Sequence, residues 1–224
     1  MFHVKHLLFL IFFSSSYSFA QHLGSTTLLI KDLPAVPAKD TAIDGYLYRF
    51  SDSRSLTPMQ KEWFYWINYS RSNPKRFWDT IVAPIIKIYP NLKNSYTNSL
   101  KNDLYKTASL PLLKPNGKLL MIAQRHAKEL ADKKANPSHT SPSGATFQDR
   151  MKSISIKMCA GENISFGPGS IPLMLTLLYI DEGVPDLGHR KTLLTPSFVE
   201  MGIGVGVYSE GRFMIIQDFA CSQQ

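Results

Sequence analysis

The strongly apolar stretch near the N-terminus covers only Leu7 to Phe13, too short to cross a bilayer, which takes about 20 residues. Cysteine is scarce, with Cys159 and Cys221 the only two. None stands near Ala20, so no lipid is expected on a terminus created there. A His-Glu-x-x-His helix, a Gly-x-Ser-x-Gly elbow and a nucleophile beside a paired base are all missing, which removes the usual signatures of zinc proteases and serine hydrolases. Acids are few, 17 against 25 Lys and Arg, for a formal charge of +8. That balance favours anionic surfaces such as envelope lipids, acidic glycans or nucleic acid. The lysines are nevertheless scattered, with only Lys133 and Lys134 adjacent, and no basic-aromatic ladder is present. No dedicated nucleic-acid binding is expected.

What is present begins with a secretory pattern. A short basic start, Met1 to His6, precedes the apolar stretch, and Ser18-Phe19-Ala20 places small residues at the two cleavage positions. The chain is therefore expected to be exported, secreted or periplasmic, after cleavage near Ala20, and not to be an integral membrane protein. The remaining residues are numerous enough for one domain with a sizeable core. In an exported chain, Cys159 and Cys221 are either a disulfide or two buried free thiols, with a catalytic thiol at Cys159 a third reading. A bridge would stabilise the fold by about 4 kcal/mol in the chain-entropy model.

Residues 21–56 carry Pro34 and Pro37 without a lasting period and are expected to form an extended leader. Thr57-Pro58-Met59-Gln60 is a capping box that opens a helix with Trp63, Trp66, Ile67 and Ser70 on one face, and Asn73-Pro74 stops it. Residues 79–113 read as broken helix and loop. From Asn116-Gly117 the clearest helix places Leu119, Ile122, Ala123, His126, Ala127, Leu130 and Ala131 on one face. On that face His126 is read as a hydrogen-bonded packing residue. A short strand over Met158 to Ser165, an apolar helix from Ile171, and two strands, Met201 to Tyr208 and Arg212 to Ala220, complete the order. Gly202, Gly204 and Gly206 are not followed by a helix, so they are no phosphate loop. Three glycines on one strand face let another element approach closely.

The polar residues that stand out are His139, Glu162, Asp181 with Glu182, and His189. Two imidazoles and two carboxylates brought into one cleft would suit a divalent metal or a proton-transfer pair. Arg190 is expected to salt-bridge Glu162 or Glu182.

Taken in order, Asn68 to Pro74, His126-Ala127, His139, Gly161-Glu162-Asn163-Ile164, Gly188-His189-Arg190 and Gly202 to Gly206 resemble the CAP superfamily. It unites cysteine-rich secretory proteins, insect venom antigens and plant pathogenesis-related proteins, with a bacterial SCP-like branch. The resemblance runs from about Thr57 to Cys221, so the CAP/SCP-like domain is placed at residues 57–221. It implies an α+β fold, an α-β-α sandwich with a small central antiparallel sheet flanked by helices. It also implies a central cleft of two His and two acids, in which some members bind zinc. Carried onto this chain, the candidate metal site is His139, Glu162, Asp181 and His189, with Glu182 as the alternative second acid and Zn²⁺ or another divalent metal as the cofactor. Glu162, His139 and His189 are also the candidate catalytic residues of a zinc-dependent, peptidase-like hydrolase. The other readings are a binding module for a lipid, glycan or protein of the envelope, and a purely structural hydrogen-bonded cluster.

Overall fold

The computed structural model describes residues 31–156 and 159–222. The signal pattern, the cleavage position and Met158 lie outside the described residues. Helix α1 (Thr41–Leu47) is capped by Asp40, whose side chain accepts from Ala42 N. Its Ile43 and Leu47, one helical turn apart, are buried in the main core. A 3₁₀ turn follows over Ser51–Ser55. The expected extended leader is thus corrected from Thr41 onward: a cap and an i, i+4 apolar pair suffice to fold this stretch onto the core.

Helix α2 (Pro58–Ser72) starts at the Thr57 capping box, with both reciprocal bonds made, Thr57 N to Gln60 Oε1 at 2.9 Å and Gln60 N to Thr57 Oγ1 at 3.3 Å. Trp63, Trp66, Ile67 and Ser70 are buried, as the spacing predicts. Asn73 ends α2 and caps α3 (Pro74–Phe77), which runs through a π-helical turn at Trp78–Val82 into α4 (Ala83–Ile88), followed by α5 (Ser95–Lys106). Broken helix is the expectation for this region, and Pro84 and Pro90 mark the interruptions.

Strand β1 (Lys114–Pro115) precedes helix α6 (Gly117–Asp132); α7 (Phe147–Ser153), β2 (Ala160–Pro168), α8 (Ile171–Ile180), α9 (Gly188–Leu194), β3 (Glu200–Ser209) and β4 (Arg212–Ala220) complete the order. The sheet runs β1-β3-β4-β2. Its three long strands are antiparallel, as expected, whereas the two-residue β1 pairs parallel to β3. One face packs on α2 and α8 through Ile203, Ile215 and Phe219. The opposite face packs on α6, where Ala123, Ala127 and Leu130 meet Ile164, Met214 and Ile216. Helix, sheet and helix form the three layers expected of an α-β-α sandwich.

The glycine stripe sets the spacing of the α6 layer. A Cβ at Gly202, Gly204 or Gly206 would fall on the backbone of Leu119, Ala123 or Ala127 respectively, so the helix backbone rests directly on β3. On the exposed side of β3, side-chain amides replace a neighbouring strand: Gln124 exchanges two bonds with Val205 (2.8 and 3.1 Å), and Gln60 donates to Ile203 O (2.7 Å).

Cys159 and Cys221 are joined in a disulfide with Cα atoms 5.6 Å apart. Cys221 N also donates to Cys159 O, which extends the β2–β4 ladder by one pair. Among the described residues, no helix is long and apolar enough to cross a membrane.

Two measurements check this account. Gly204→Ala is expected to destabilise by about 3 kcal/mol or more in urea unfolding, because backbone and not a flexible side chain must give way. Replacing Cys159 and Cys221 together by Ser is expected to lower stability by about 4 kcal/mol, read from the shift in denaturation midpoint.

Candidate functional site

Each predicted imidazole sits against a predicted acid, in two separate pairs. His139 lies in the loop after α6, where Asn136-Pro137 ends the helical run. Its Nδ1 is 2.6 Å from Glu162 Oε1 on β2. His189 is in the first turn of α9, and its Nδ1 is 2.6 Å from Asp181 Oδ1. Both acids are buried, while the His139 and His189 side chains are 24% and 12% exposed. Solvent therefore reaches the imidazoles but not the carboxylates that hold them.

Asp181 stands just past the end of α8 in the left-handed conformation, φ 58°. This turns its carboxylate back toward α9, where Oδ2 accepts from His189 N (2.9 Å) and Arg190 N (3.2 Å). These are unpaired donors of a helix start, and a negative charge is favoured there. The alternative acid, Glu182, makes no such bond; Asp181 completes the pair.

Glu162 is held from two directions. Arg150 of α7 donates from Nη2 to Glu162 Oε2 at 2.5 Å, and its Nη1 donates to His139 O, Ser141 Oγ and Ala145 O. One buried guanidinium thus fixes both the acid and the loop that carries His139. Burial alone would raise the pKa of Glu162, but the His139 hydrogen bond and the Arg150 charge outweigh it, so the pKa is lowered. His126 is buried on α6 as expected of a packing residue. Its Nε2 is 2.9 Å from Ser138 O and its Nδ1 2.9 Å from Ser141 Oγ, and burial lowers its pKa. The arrangement is that of a neutral ring donating from Nε2 and accepting at Nδ1.

Arg190 does not pair with Glu162 or Glu182. All five of its N–H groups are used elsewhere, on Tyr179 O, Ile180 O, Tyr96 O, Ser99 Oγ and Asp103 Oδ2. It is a buried clamp between α5 and α9. Sequence reasoning missed Arg150, which carried no signal beyond its place in a capped helix. It also missed Asp218, which with Gln217 breaks the apolar stretch Ile215 to Ala220, a usable signal.

The two pairs meet the same strand. Glu162 anchors His139, and its neighbour Asn163 donates from Nδ2 to His189 O at 3.3 Å. Among the described residues, no three His, Cys, Asp or Glu side chains gather as ligands of one ion. Both oxygens of Glu162 and both of Asp181 are engaged by imidazoles, a guanidinium and backbone N–H groups. What remains for a cation is the Nε2 of each imidazole. His139 Nε2 is buried without a hydrogen-bond partner, which fits a ligand atom there. A cavity of about 620 Å³ lies elsewhere, between α1, the start of α2 and the turn before α8, and is lined by Leu47, Tyr48, Leu56 and Met59.

A three-layer α-β-α fold carrying two His–acid pairs on and around an edge strand defines the class. The chain belongs to the cysteine-rich secretory protein (CAP) family, whose model matches residues 66–222. Among solved structures it is similar to an extracellular SCP-domain protein of Bacillus anthracis, at 32% identity over 50% of this chain and 35% of that one, TM-score 0.40. It is also similar to an outer surface protein of Borrelia burgdorferi (16% identity, 57% and 90% covered, TM-score 0.43) and to venom allergen-like protein 4 of Schistosoma mansoni (15%, 75% and 92%, TM-score 0.44). The chain spans about a third of the length of the Bacillus protein. No curated protein matches it.

Because the lowered pKa of Glu162 adds stability that is full at neutrality and lost as pH falls through the acid range, Arg150→Met is expected to cost about 3–5 kcal/mol at pH 7. The cost should shrink at low pH, where Glu162 takes up a proton. Urea unfolding at both pH values measures the difference.

Proposed function

We propose that this chain is an exported binding module whose two imidazole–carboxylate arms, His139–Glu162 and His189–Asp181, hold a single polar ligand through their Nε2 atoms. The observation that carries the reading is the identical wiring of the two arms: a buried acid takes Nδ1 at 2.6 Å in each, and His139 Nε2 is left without a partner. A carboxylate at Nδ1 keeps the proton there and leaves a lone pair on Nε2, which is how imidazoles are prepared to bind a metal. The ligand class is a divalent cation, Zn²⁺ first, with water or a polar group of an envelope lipid, glycan or protein filling its remaining positions. His139 and His189 would hold it, and Glu162 and Asp181 would orient them. Export is supported by the N-terminal pattern and by the Cys159–Cys221 bridge, which suits an oxidising compartment.

The hydrolase reading has weaker support. An imidazole oriented by a buried carboxylate is half of a general-base system. Neither serine beside His139 supplies the other half, since Ser141 Oγ is bonded to His126 and Arg150, and Ser138 Oγ accepts from Thr140 N. A bound zinc would supply an activated water in its place.

Zinc titration of the purified chain tests the binding reading. At about a hundred times its Kd, zinc is expected to stabilise by roughly 2.7 kcal/mol, seen as a rise in melting temperature that His139→Ala and His189→Ala each abolish. No rise, or a rise unchanged in both variants, overturns the assignment.

A further inference from the structure

Strand β2 stands at the edge of the sheet, with β4 on one side only. The bond from Cys221 N to Cys159 O fixes which of its backbone groups face that partner. Antiparallel ladders alternate, so Gly161, Asn163, Ser165 and Gly167 exchange bonds with Phe219, Gln217, Ile215 and Phe213. Glu162, Ile164 and Phe166 therefore turn their N–H and C=O groups to the free edge. Among the described residues, nothing bonds to any of these groups. The edge of β3 beyond β1 is treated differently, since Gln60 and Gln124 side chains occupy Ile203 O and both groups of Val205. Nor does β2 carry the usual defences of an open edge. Its register with β4 has no bulge, no Lys lies in it, and its one Pro, Pro168, is its last residue.

This bare edge runs through the candidate site. Glu162 shares a sheet row with Gly202, where a Cβ would strike the Leu119 backbone, so its side chain lies on the α6 face and holds His139 there. Asn163 points to the opposite face, where it donates to His189 O. The two imidazole arms thus meet the edge from both faces. Four residues on from Glu162, on the same face, Phe166 is 37% exposed and packs against the Tyr208 ring, centroids 4.7 Å apart. A donor and an acceptor at every second residue match the backbone of another strand. An acyl chain has nothing to offer these groups, and the hydroxyls of a glycan do not repeat at strand spacing. We propose that the free edge of β2, from Glu162 to Phe166, takes up an extended segment of a partner polypeptide as a fifth strand, with an apolar side chain opposite Phe166. The proposal rests on the reading of the two arms as one ligand site and names the class of partner that reaches it: the main chain lies along the edge while a polar side chain reaches His139 and His189.

A displayed library of peptides of about ten residues, selected on the whole chain with no metal present, tests this. Selected peptides are expected to bind the wild type, and to bind Phe166→Pro about tenfold more weakly than Phe166→Ala. Both variants lose the ring, but only the proline loses the edge-facing N–H, and it leaves the bonds to β4 in place. N-methylation of alternate peptide residues should abolish binding in one phase and be tolerated in the other, because only every second amide faces β2. If Phe166→Pro does not fold, the methylation series decides. No enriched peptide, equal binding to Phe166→Pro and Phe166→Ala, or two methylation phases that behave alike would each overturn the proposal. So would a dimer of the chain that Phe166→Pro dissolves, which makes a second copy the occupant of the edge. Because the selection is free of metal, a failed zinc titration does not bear on the outcome, and peptides bound in this way without any zinc response would sink the metal assignment alone.

Discussion

The backbone of α6 lies directly on the glycines of β3, and the interior of the site depends on that contact. With Gly202, Gly204 and Gly206 bare, helix and sheet close to a distance that admits no side chain between them. Glu162 and Asp218 reach the same face from β2 and β4, so they are sealed beneath the helix rather than open to water. Burial makes their charges expensive, and it makes each hydrogen bond to them matter more than it would at the surface. The loop after α6 then returns over the sheet with His139, whose ring is the exposed end of a chain of contacts that starts at the glycine stripe.

Buried arginines secure the periphery of this arrangement, largely through backbone carbonyls. Arg71 is fully buried and donates to the carbonyls of Pro111, Leu193, Thr195 and Phe198, tying α2 to the segment between α9 and β3. Arg190 does the same between α5 and α9, and Arg150 between α7, the His139 loop and β2. A guanidinium presents five donors in a fixed plane, which lets one side chain satisfy several loop carbonyls that would otherwise be orphaned. The loops bearing His139 and His189 are therefore irregular in backbone path yet held at several points.

Much of the fold was legible in the sequence because local rules and tertiary packing agree. The Thr57 capping box, the apolar face of α6, the stop at Asn73-Pro74 and the β3–β4 hairpin are written in neighbouring residues, and each is found where its signal lies. The glycine stripe was legible for the same reason: three bare positions on one strand face admit a close partner whatever that partner is. Residues 41–55 depart from the expected extended leader because a two-residue apolar contact with the core, too short to show a period, is enough to fold them. The parallel edge of β1 is only two residues long and leaves no pattern.

The sequence by itself determined which residues carry the chemistry: His139, Glu162, Asp181 and His189 all stand out by their surroundings, and all are engaged. Only the tertiary structure decided how they divide. It set each acid on the Nδ1 of one imidazole, chose Asp181 over Glu182 by a left-handed backbone turn, gave Arg150 rather than Arg190 to Glu162, and brought Asp218 beside it. Pairings of that kind join positions between 8 and 56 residues apart along the chain. They depend on which face of a strand a side chain occupies and on what lies across it, and neither is recorded in the order of neighbouring residues.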